Sequence, residues 1–478
     1  MLSSLALGMF LAALDQTVMS TAGATVATHF GQLSGQAWLL TSYLLASLIT
    51  TPIYGRLSDG YGRRKLFIAA LGIFIIGSTI AAIAPTFGFL VAGRTVQGLG
   101  AGGLFSLAFA VISDILPPRE RARYILVFVI VFGSSSIFGP IVGGVIATQN
   151  SIFGIAGWRW IFILNIPIAL YAILRAVRYL HVKQKLHRDR FDWWGVSLFS
   201  VFVLTLLLIS QNTNSHALHQ WRIYLLLLLI LSFVSFLLVE RSQGDAALMP
   251  LHFFTNRLFT VTLIASTVSG AAMLIGLVVI PLSVQVVQGK TPAIAGLILL
   301  TMGFGNLFGS GLASRSVAKT GHYRWLATMG LIAFAVGFTT LFFNSGLSAV
   351  IASVVVMGFG SGLVTQFGSV VAPHALGERH RGSGSAINTF ARQFGGVLGS
   401  GLSLATIFQL WKTRGSISAS TLTHAGASLR NLSQLARENF MSSAKPVYAA
   451  TAVILVIAAL VTRLIPNGKF EHSTESAE

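Results

Sequence analysis

Apolar runs of about 20 residues follow one another along this chain, and fourteen of them can be counted between mostly short polar connectors. A run of that length crosses the hydrocarbon core of a bilayer as a helix, which satisfies its own backbone hydrogen bonds. The 478 residues are 54% hydrophobic and only 9% charged, whereas about 25% of a soluble domain is charged. The sequence therefore predicts an all-α polytopic membrane protein with fourteen transmembrane helices.

The basic residues are distributed unevenly between alternate connectors. The net charge of +19 would suggest a nucleic-acid partner in a soluble protein. Here most of the 32 lysines and arginines fall in connectors that face the cytoplasm if the N-terminus does, which is the positive-inside pattern. We therefore expect a multi-pass protein of the cytoplasmic membrane with both termini in the cytoplasm, surrounded by the lipid bilayer and without a nucleic-acid partner.

Asp15 lies in the middle of the first apolar run. A carboxylate at the centre of a membrane span costs about 2.5 to 3.5 kcal/mol on insertion scales, so such a residue is a candidate for ion or proton handling. Of the thirteen acidic residues, Asp114 lies at a span end, and all the others except Asp15 fall in polar connectors or the C-terminal tail. Asp15 is thus the only acid predicted to lie deep in the membrane.

Arg94 lies in the fourth apolar run, about two turns below the outer surface. An arginine at that depth needs a carboxylate, a carbonyl or a water-filled cavity beside it, and Asp15 is the deep carboxylate available. The sequence predicts that the two side chains pair. The alternative is an arginine that extends its head outward to the interface.

The connector after the second run contains Gly55, Asp59, Gly62 and Arg63. Glycines permit a tight turn between antiparallel helices, and Asp59 and Arg63 are placed to pair across the cytoplasmic mouth. This pattern resembles the cytoplasmic signature loop of the major facilitator superfamily, where it implies a cytoplasmic gate, to which we add Asp114. The alternative is a basic anchor with no gating role.

Two further runs resemble motifs of that superfamily. Arg94 and Gln97, followed by glycines, are similar to an arginine and glutamine motif of its proton-coupled members. The fifth run, predicted over 124–148, contains four residues similar to the motif that marks exporters: Gly139, Pro140, Gly143 and Gly144. Proline and glycine bend and thin a helix, so this run can act as a gate against its neighbour.

Two more stretches narrow the resemblance to one family. Trp158 to Pro167, which includes Asn165, resembles the start of the sixth span in drug:proton antiporters with fourteen spans. Asn388 to Gly399, which includes Arg392 and Gln393, resembles the thirteenth span of that family. The tryptophans also fit an interfacial aromatic belt, and Arg392 could brace helices instead of lining a cavity.

The resemblance implies a major facilitator fold of two six-helix halves, 1–180 and 258–465. The region 181–257 inserts two central helices, and 466–478 is a cytoplasmic tail. The outside loop 411–445 is predicted to carry an amphipathic helix on the outer surface, with apolar residues at helical spacing: Leu429, Leu432, Leu435, Ala436 and Phe440.

The implied function is a proton-coupled antiporter that exports amphiphilic, lipophilic or cationic drugs and antibiotics. Asp15 and Arg94 would couple protons, while Gln97, Asn165, Arg392 and Gln393 would line the substrate cavity. A single deep acid favours monocations or neutral amphiphiles. We expect a monomer without cofactor or metal.

Export of an endogenous lipid or glycolipid of the cell envelope is the alternative function for the same fold. A membrane enzyme or a non-transporting sensor is disfavoured, because the sequence shows neither convergent polar triads nor a soluble output domain. The chain contains no cysteine, which also excludes thiolate chemistry.

Overall fold

The computed structural model of the protein describes thirteen ranges and positions: 2–115, 131, 134–135, 138–139, 141–147, 149, 151–180, 193–211, 216–244, 249–320, 322–376, 381–414 and 433–465. Its principal helices are α1 (Leu2–His29), α2 (Gln36–Tyr61), α3 (Arg63–Ala82), α4 (Phe87–Ile115), α5 (Trp160–Ile163), α6 (Asn165–Tyr179), α7 (Trp193–Gln211), α8 (His216–Gln243), α9 (Arg257–Val287), α10 (Pro292–Thr320), α11 (Arg324–Phe343), α12 (Leu347–Ala375), α13 (Arg381–Thr413) and α14 (Gln434–Val461).

The helices confirm an all-α membrane architecture. Within the described ranges, ten helical segments are long and apolar enough to cross a bilayer, α2 and α7 contain shorter apolar segments, and α4 is a 29-residue helix. These correspond to thirteen of the fourteen predicted spans, with α5 and α6 together forming one. The fifth predicted span lies largely outside the described residues. A two-stranded hairpin, Ser151–Ile152 with Ile155–Ala156, is a small exception to the helical fold.

The chain divides into two compact units. The first comprises Met1–Pro250, Leu277–Leu300 and Ser400–Ala444, and the second comprises Leu251–Gly276, Thr301–Gly399 and Lys445–Glu478. The first unit therefore includes one end of α9 and of α13, although these helices begin in the second. The predicted boundaries at 180 and 257 remain predictions.

Glycines bring α4 against α2 in the first unit. A Cβ atom added at Gly98 would collide with the main-chain carbonyl of Tyr43, and one at Gly102 with that of Ser47. Because the glycines have no side chains, the two backbones pack in direct contact. In a bilayer, van der Waals attraction stabilises such close helix packing. The close approach places Arg94, one turn before Gly98, against α2.

The second unit repeats this arrangement between α10 and α12. Gly305 and Gly309 each face a main-chain carbonyl of α12, while Gly358 and Gly362 face carbonyls of α10. A Cβ at Gly305 would lie only 2.5 Å from the carbonyl oxygen of Val355. The glycine pairs of α10 and α12, spaced four residues apart, thus each contact the backbone of the other helix.

The segment after α13 differs from the surface helix expected in the loop 411–445. The residues from Gln434 onward form one continuous helix with the last span, so the amphipathic stretch is the first part of α14. Ala436 and Phe440 are buried: the Trp411 indole N–H donates to the Ala436 carbonyl at 3.0 Å, and the Trp411 and Phe440 rings meet edge to face. Leu435 is exposed, and Leu429 and Leu432 lie outside the described residues. Packing against Trp411 holds this segment as a helix.

Candidate functional site

Asp15 lies near the middle of α1 and is 1% exposed. Its Oδ2 atom forms an ion pair with Nη1 of Arg94. Its Oδ1 atom accepts hydrogen bonds from Nε2 of Gln97 at 2.9 Å and from Nδ2 of Asn165 at 2.8 Å. Four of the residues singled out in the sequence therefore meet at one carboxylate.

Arg94 is fully buried in α4 and does not reach outward to an interface. Besides Asp15, its Nη1 donates to Oε1 of Gln97 at 2.6 Å, and its Nε donates to the Leu39 carbonyl at 3.0 Å. The guanidinium carbon lies 4.4 Å from the centroid of the Tyr43 ring, within cation–π range. One nitrogen, Nη2, is buried without a hydrogen-bond partner among the described atoms.

Gln97 connects three helices through one amide. Its oxygen accepts from Arg94, and its nitrogen donates to Asp15 and, at 2.9 Å, to Oγ of Ser78 on α3. Gly77 makes this possible, because any side chain there would collide with the backbone of Gln97. The orientation of the amide is consequently fixed, with its acceptor on the cation and its donor on the carboxylate.

Ser78 and Tyr43 also belong to the site, although the sequence does not predict them. The Tyr43 hydroxyl donates to the carbonyl of Ala12 at 3.0 Å, less than one turn from Asp15. Single hydroxyl groups are common in membrane helices, so neither residue is distinctive in the sequence. The glycine before Ser78 was the one available signal.

An apolar cluster adjoins the carboxylate on the side of α1 that leads to His29. Its buried members from α1 are Val18, Met19, Ala22, Val26 and Ala27, and it includes Trp158, Ile161 and Phe162. Such a cluster excludes water from that side of Asp15. The ion pair is therefore enclosed by hydrocarbon there, where Coulomb attraction between the two charges is strong.

The described part of the fifth predicted span packs directly on α1. Side chains at Gly139 or Gly143 would collide with Thr17 and with the Val18 carbonyl, respectively. Oγ1 of Thr17 also donates to the carbonyl of Ser135 at 2.9 Å. Gly144 is buried in a helical stretch, and Pro140 lies outside the described residues. The glycine pair thus contacts α1 just beyond Asp15.

The loop predicted to face the cytoplasm is described in part. Gly62 has a φ of 94° between α2 and α3, the left-handed region that glycine adopts without strain. Arg63 is buried and donates to Oγ of Ser58. The side chains of Asp59 and Asp114, and the surroundings of Gly55, lie outside the described residues, so the Asp59–Arg63 pair stays a prediction.

Arg392 and Gln393 belong to α13 in the second unit, and both are partly exposed. Nη1 of Arg392 donates to Oγ1 of Thr365 on α12 at 3.1 Å. Nearby, Oγ of Ser266 donates to Oδ1 of Asn388 at 2.6 Å. These contacts link α9, α12 and α13 of this unit by polar side chains.

Glu240, one of the acids that the sequence predicts in polar connectors, lies within a helix instead. It lies in the last turn of α8, is buried, and its Oε2 accepts the main-chain N–H of Met249 at 2.7 Å. α8 extends four residues past the predicted end of its apolar run, which brings the carboxylate into the helix. Among the described residues, no group of three histidine or acidic side chains is arranged for a metal ion.

Comparisons with known proteins agree with this architecture. Residues 5–400 match the family model of the Major Facilitator Superfamily. Multidrug resistance protein 3 of Bacillus subtilis (strain 168) is 32% identical over 402 residues, which cover 83% of this chain and 77% of that protein. The MFS-type efflux pump LUC4 of Fusarium sp. is 31% identical over 412 residues, which cover 83% and 71%.

Solved structures resemble the chain in fold. A bacterial homolog of the human lysosomal transporter Spinster, inward-facing and unoccupied, matches with a TM-score of 0.67 at 16% identity, covering 97% of this chain and 95% of that one. A D-xylose–proton symporter matches with a TM-score of 0.64 at 18% identity, covering 98% and 97%. At such identities the likeness concerns the fold alone.

Proposed function

The chain belongs to the major facilitator superfamily, and on that premise we propose that it is a proton-coupled antiporter that exports amphiphilic small molecules across the cytoplasmic membrane. The observation that carries the proposal is the buried carboxylate of Asp15, paired with Arg94 and held by Gln97 and Asn165. Acidic residues inside membrane helices mark proton or ion pathways.

The contacts of Asp15 support a coupling mechanism. A proton arriving at Asp15 neutralises the carboxylate, and Arg94 then loses its counter-ion in a dry environment. Gln97 and Asn165 can still donate to a neutral carboxyl group, whereas the ion pair between α1 and α4 is abolished. Protonation therefore loosens one tie between these helices and leaves the others in place, which allows proton binding to change their packing.

The glycine contacts support movement of the same helices. Gly139 and Gly143 let the fifth span touch the α1 backbone beyond Asp15, so a shift of α1 is transmitted directly to that span. In this proposal they form the exporter motif with Pro140 and Gly144. Gly55, Asp59, Gly62, Arg63 and Asp114 form the gate at the cytoplasmic side, where both termini lie.

Relatives support export as the direction of transport. The two described above are named a multidrug resistance protein and an efflux pump. We propose that the substrates are likewise amphiphiles, bound in the membrane-embedded part of a monomer without cofactor. Gln97, Asn165, Arg392 and Gln393 are the polar residues assigned to the substrate path.

Everted membrane vesicles test the proposal. Respiration acidifies the vesicle lumen, and a pH-sensitive dye reports the gradient. Adding an exported amphiphile at the former cytoplasmic face should release lumenal protons, and a protonophore should abolish its accumulation. Vesicles without the protein are the control.

Accumulation that persists with the protonophore would contradict proton coupling. If none of a panel of toxic amphiphiles moves, while deletion of the gene alters the envelope lipid profile, the protein exports an endogenous lipid or glycolipid instead.

A further inference from the structure

Arg392 is a membrane-embedded cation with almost no polar partner. Its guanidinium makes one hydrogen bond, from Nη1 to Oγ1 of Thr365, among the described residues. The described part of the second unit contains no aspartate or glutamate at all, since Glu378 and the acids of 466–478 lie outside it. The charge of Arg392 is therefore not balanced by any described side chain of its own unit.

Arg94 shows how this fold surrounds a buried arginine with partners from the protein itself. There, an ion pair, an amide oxygen, a main-chain carbonyl and an aromatic face surround the guanidinium. Arg392 has one hydroxyl oxygen in place of these four partners. A cation within membrane helices faces the bundle interior or a water-filled cavity and pairs with an opposite charge or with backbone carbonyls, and no acidic side chain of the described part of its own unit is available to Arg392.

The packing of α13 on α9 does not require the guanidinium of Arg392. α9 and α13 are joined backbone to backbone: Gly270 touches the main-chain carbonyl of Arg392, and Gly395 that of Thr267. Gly399 meets Ala271 in the same row. Because main-chain contacts hold α9 against α13, the guanidinium is not needed to join these two helices.

We propose that Arg392 and Thr365 form a subsite for the anionic head of an exported amphiphile, namely a carboxylate, sulfonate or phosphate. The planar fork of an arginine binds such groups through paired hydrogen bonds. The Thr365 oxygen accepts from Arg392, and its hydroxyl hydrogen makes no hydrogen bond among the described residues, so it can donate to the same anion. The proposal rests on the export function and specifies the substrate charge.

The buried carboxylate of Asp15 in the first unit already has its own cationic partner. Asp15 already accepts from Arg94, Gln97 and Asn165, so a cationic substrate would meet a carboxylate whose charge Arg94 already balances. An anion at Arg392 displaces no ion pair of the described structure. The partners in the structure thus favour an anionic amphiphile, whereas the single deep acid in the sequence favoured monocations or neutral amphiphiles.

A matched pair of probes isolates the charge. 8-Anilino-1-naphthalenesulfonate and N-phenyl-1-naphthylamine differ only by a sulfonate group. Equilibrium binding to the purified full-length protein in nanodiscs, corrected with empty nanodiscs, is measured for the wild type, Arg392→Gln, Arg392→Lys and the control Arg463→Gln. Arg463 is an exposed arginine of the second unit, so the control removes one positive charge elsewhere.

We expect Arg392→Gln to weaken sulfonate binding about 10- to 100-fold, the range of a lost charge-assisted pair, with uncharged-probe binding changed less than twofold. Arg392→Lys should retain part of the preference, because it keeps the charge and loses the fork. Arg463→Gln should bind both probes as the wild type does. Dodecyl phosphate, as a competitor, distinguishes a lipid-like anion from an aromatic one: displacement of the sulfonate extends the subsite to single-chain lipids.

Equal weakening of both probes by Arg392→Gln, or sulfonate binding unchanged by it, would overturn the anionic subsite. Transport in vesicles is a separate arm. If the probes bind with the expected charge preference but are not moved against a proton gradient, the export function fails and the subsite stands. If the uncharged probe is exported by the wild type and by Arg392→Gln alike, with no sulfonate preference in binding, export stands and the subsite fails.

Discussion

Replacing Asp15 by asparagine tests how the buried ion pair is used. The substitution keeps the shape of the side chain but removes its charge. Its amide can present one acceptor, whereas the native carboxylate accepts from Arg94 on one oxygen and from Gln97 and Asn165 on the other. Either orientation of the new amide points a donor at a donor.

The structure sets the size of the effect. Arg94 remains fully buried and loses its only acidic partner among the described residues, and breaking a buried pair by removing one member costs about 3 to 5 kcal/mol. Adding Arg94→Gln removes the orphaned charge. We expect the double variant to be more stable than the sum of the two single effects by about 1 to 3 kcal/mol, the coupling usual for residues in contact.

Two measurements separate stability from coupling. Reversible unfolding in mixed detergent and sodium dodecyl sulfate micelles gives the free energy of unfolding of the wild type, both single variants and the double variant. Substrate-dependent proton release in everted vesicles gives the coupling. The double variant should recover stability and release no protons, because it has no titratable group at position 15.

Either of two results would refute the reasoning. Proton release by Asp15→Asn at the wild-type rate would show that another group carries the proton. Strictly additive single effects would show that the two side chains do not stabilise one another in the membrane.

Three further substitutions address packing and polar contacts. Gly139→Ala should destabilise the protein by about 1 to 3 kcal/mol through overpacking, because the added Cβ collides with Thr17. Gly72→Ala is the matched control, since a Cβ at Gly72 has nothing within 4 Å. In the same unfolding assay, Gly72→Ala should be neutral or stabilising by up to about 1 kcal/mol. Gly62→Ala places a methyl group in open space at a φ of 94°, so backbone strain alone should cost about 1 to 3 kcal/mol. An unchanged unfolding midpoint would contradict this expectation. Trp411→Phe deletes the hydrogen bond to the N-terminal part of α14 and should cost about 0.5 to 1.5 kcal/mol, with faster hydrogen exchange near the start of that helix as its local signature.

Much of the fold followed from local properties of the chain. A transmembrane helix forms its backbone hydrogen bonds within itself, so the length of each apolar run predicted a span without knowledge of its neighbours. The glycine spacing predicted close helix contacts for the same reason, since the small residues lie on one face wherever the partner helix is. α14 was the exception, because the polar residues near its start concealed a continuous helix that packing against Trp411 stabilises.

The sequence by itself also determined that Asp15 is costly in its position and that Arg94 is its natural partner, because depth and charge can be read along one chain. Only the tertiary structure decided that Ser78, Tyr43 and Asn165 complete the cluster, and that Arg392 has a single hydroxyl as partner. These are contacts between helices far apart in sequence. Their geometry depends on how the helices pack and rotate against one another, which apolar length and periodicity do not specify.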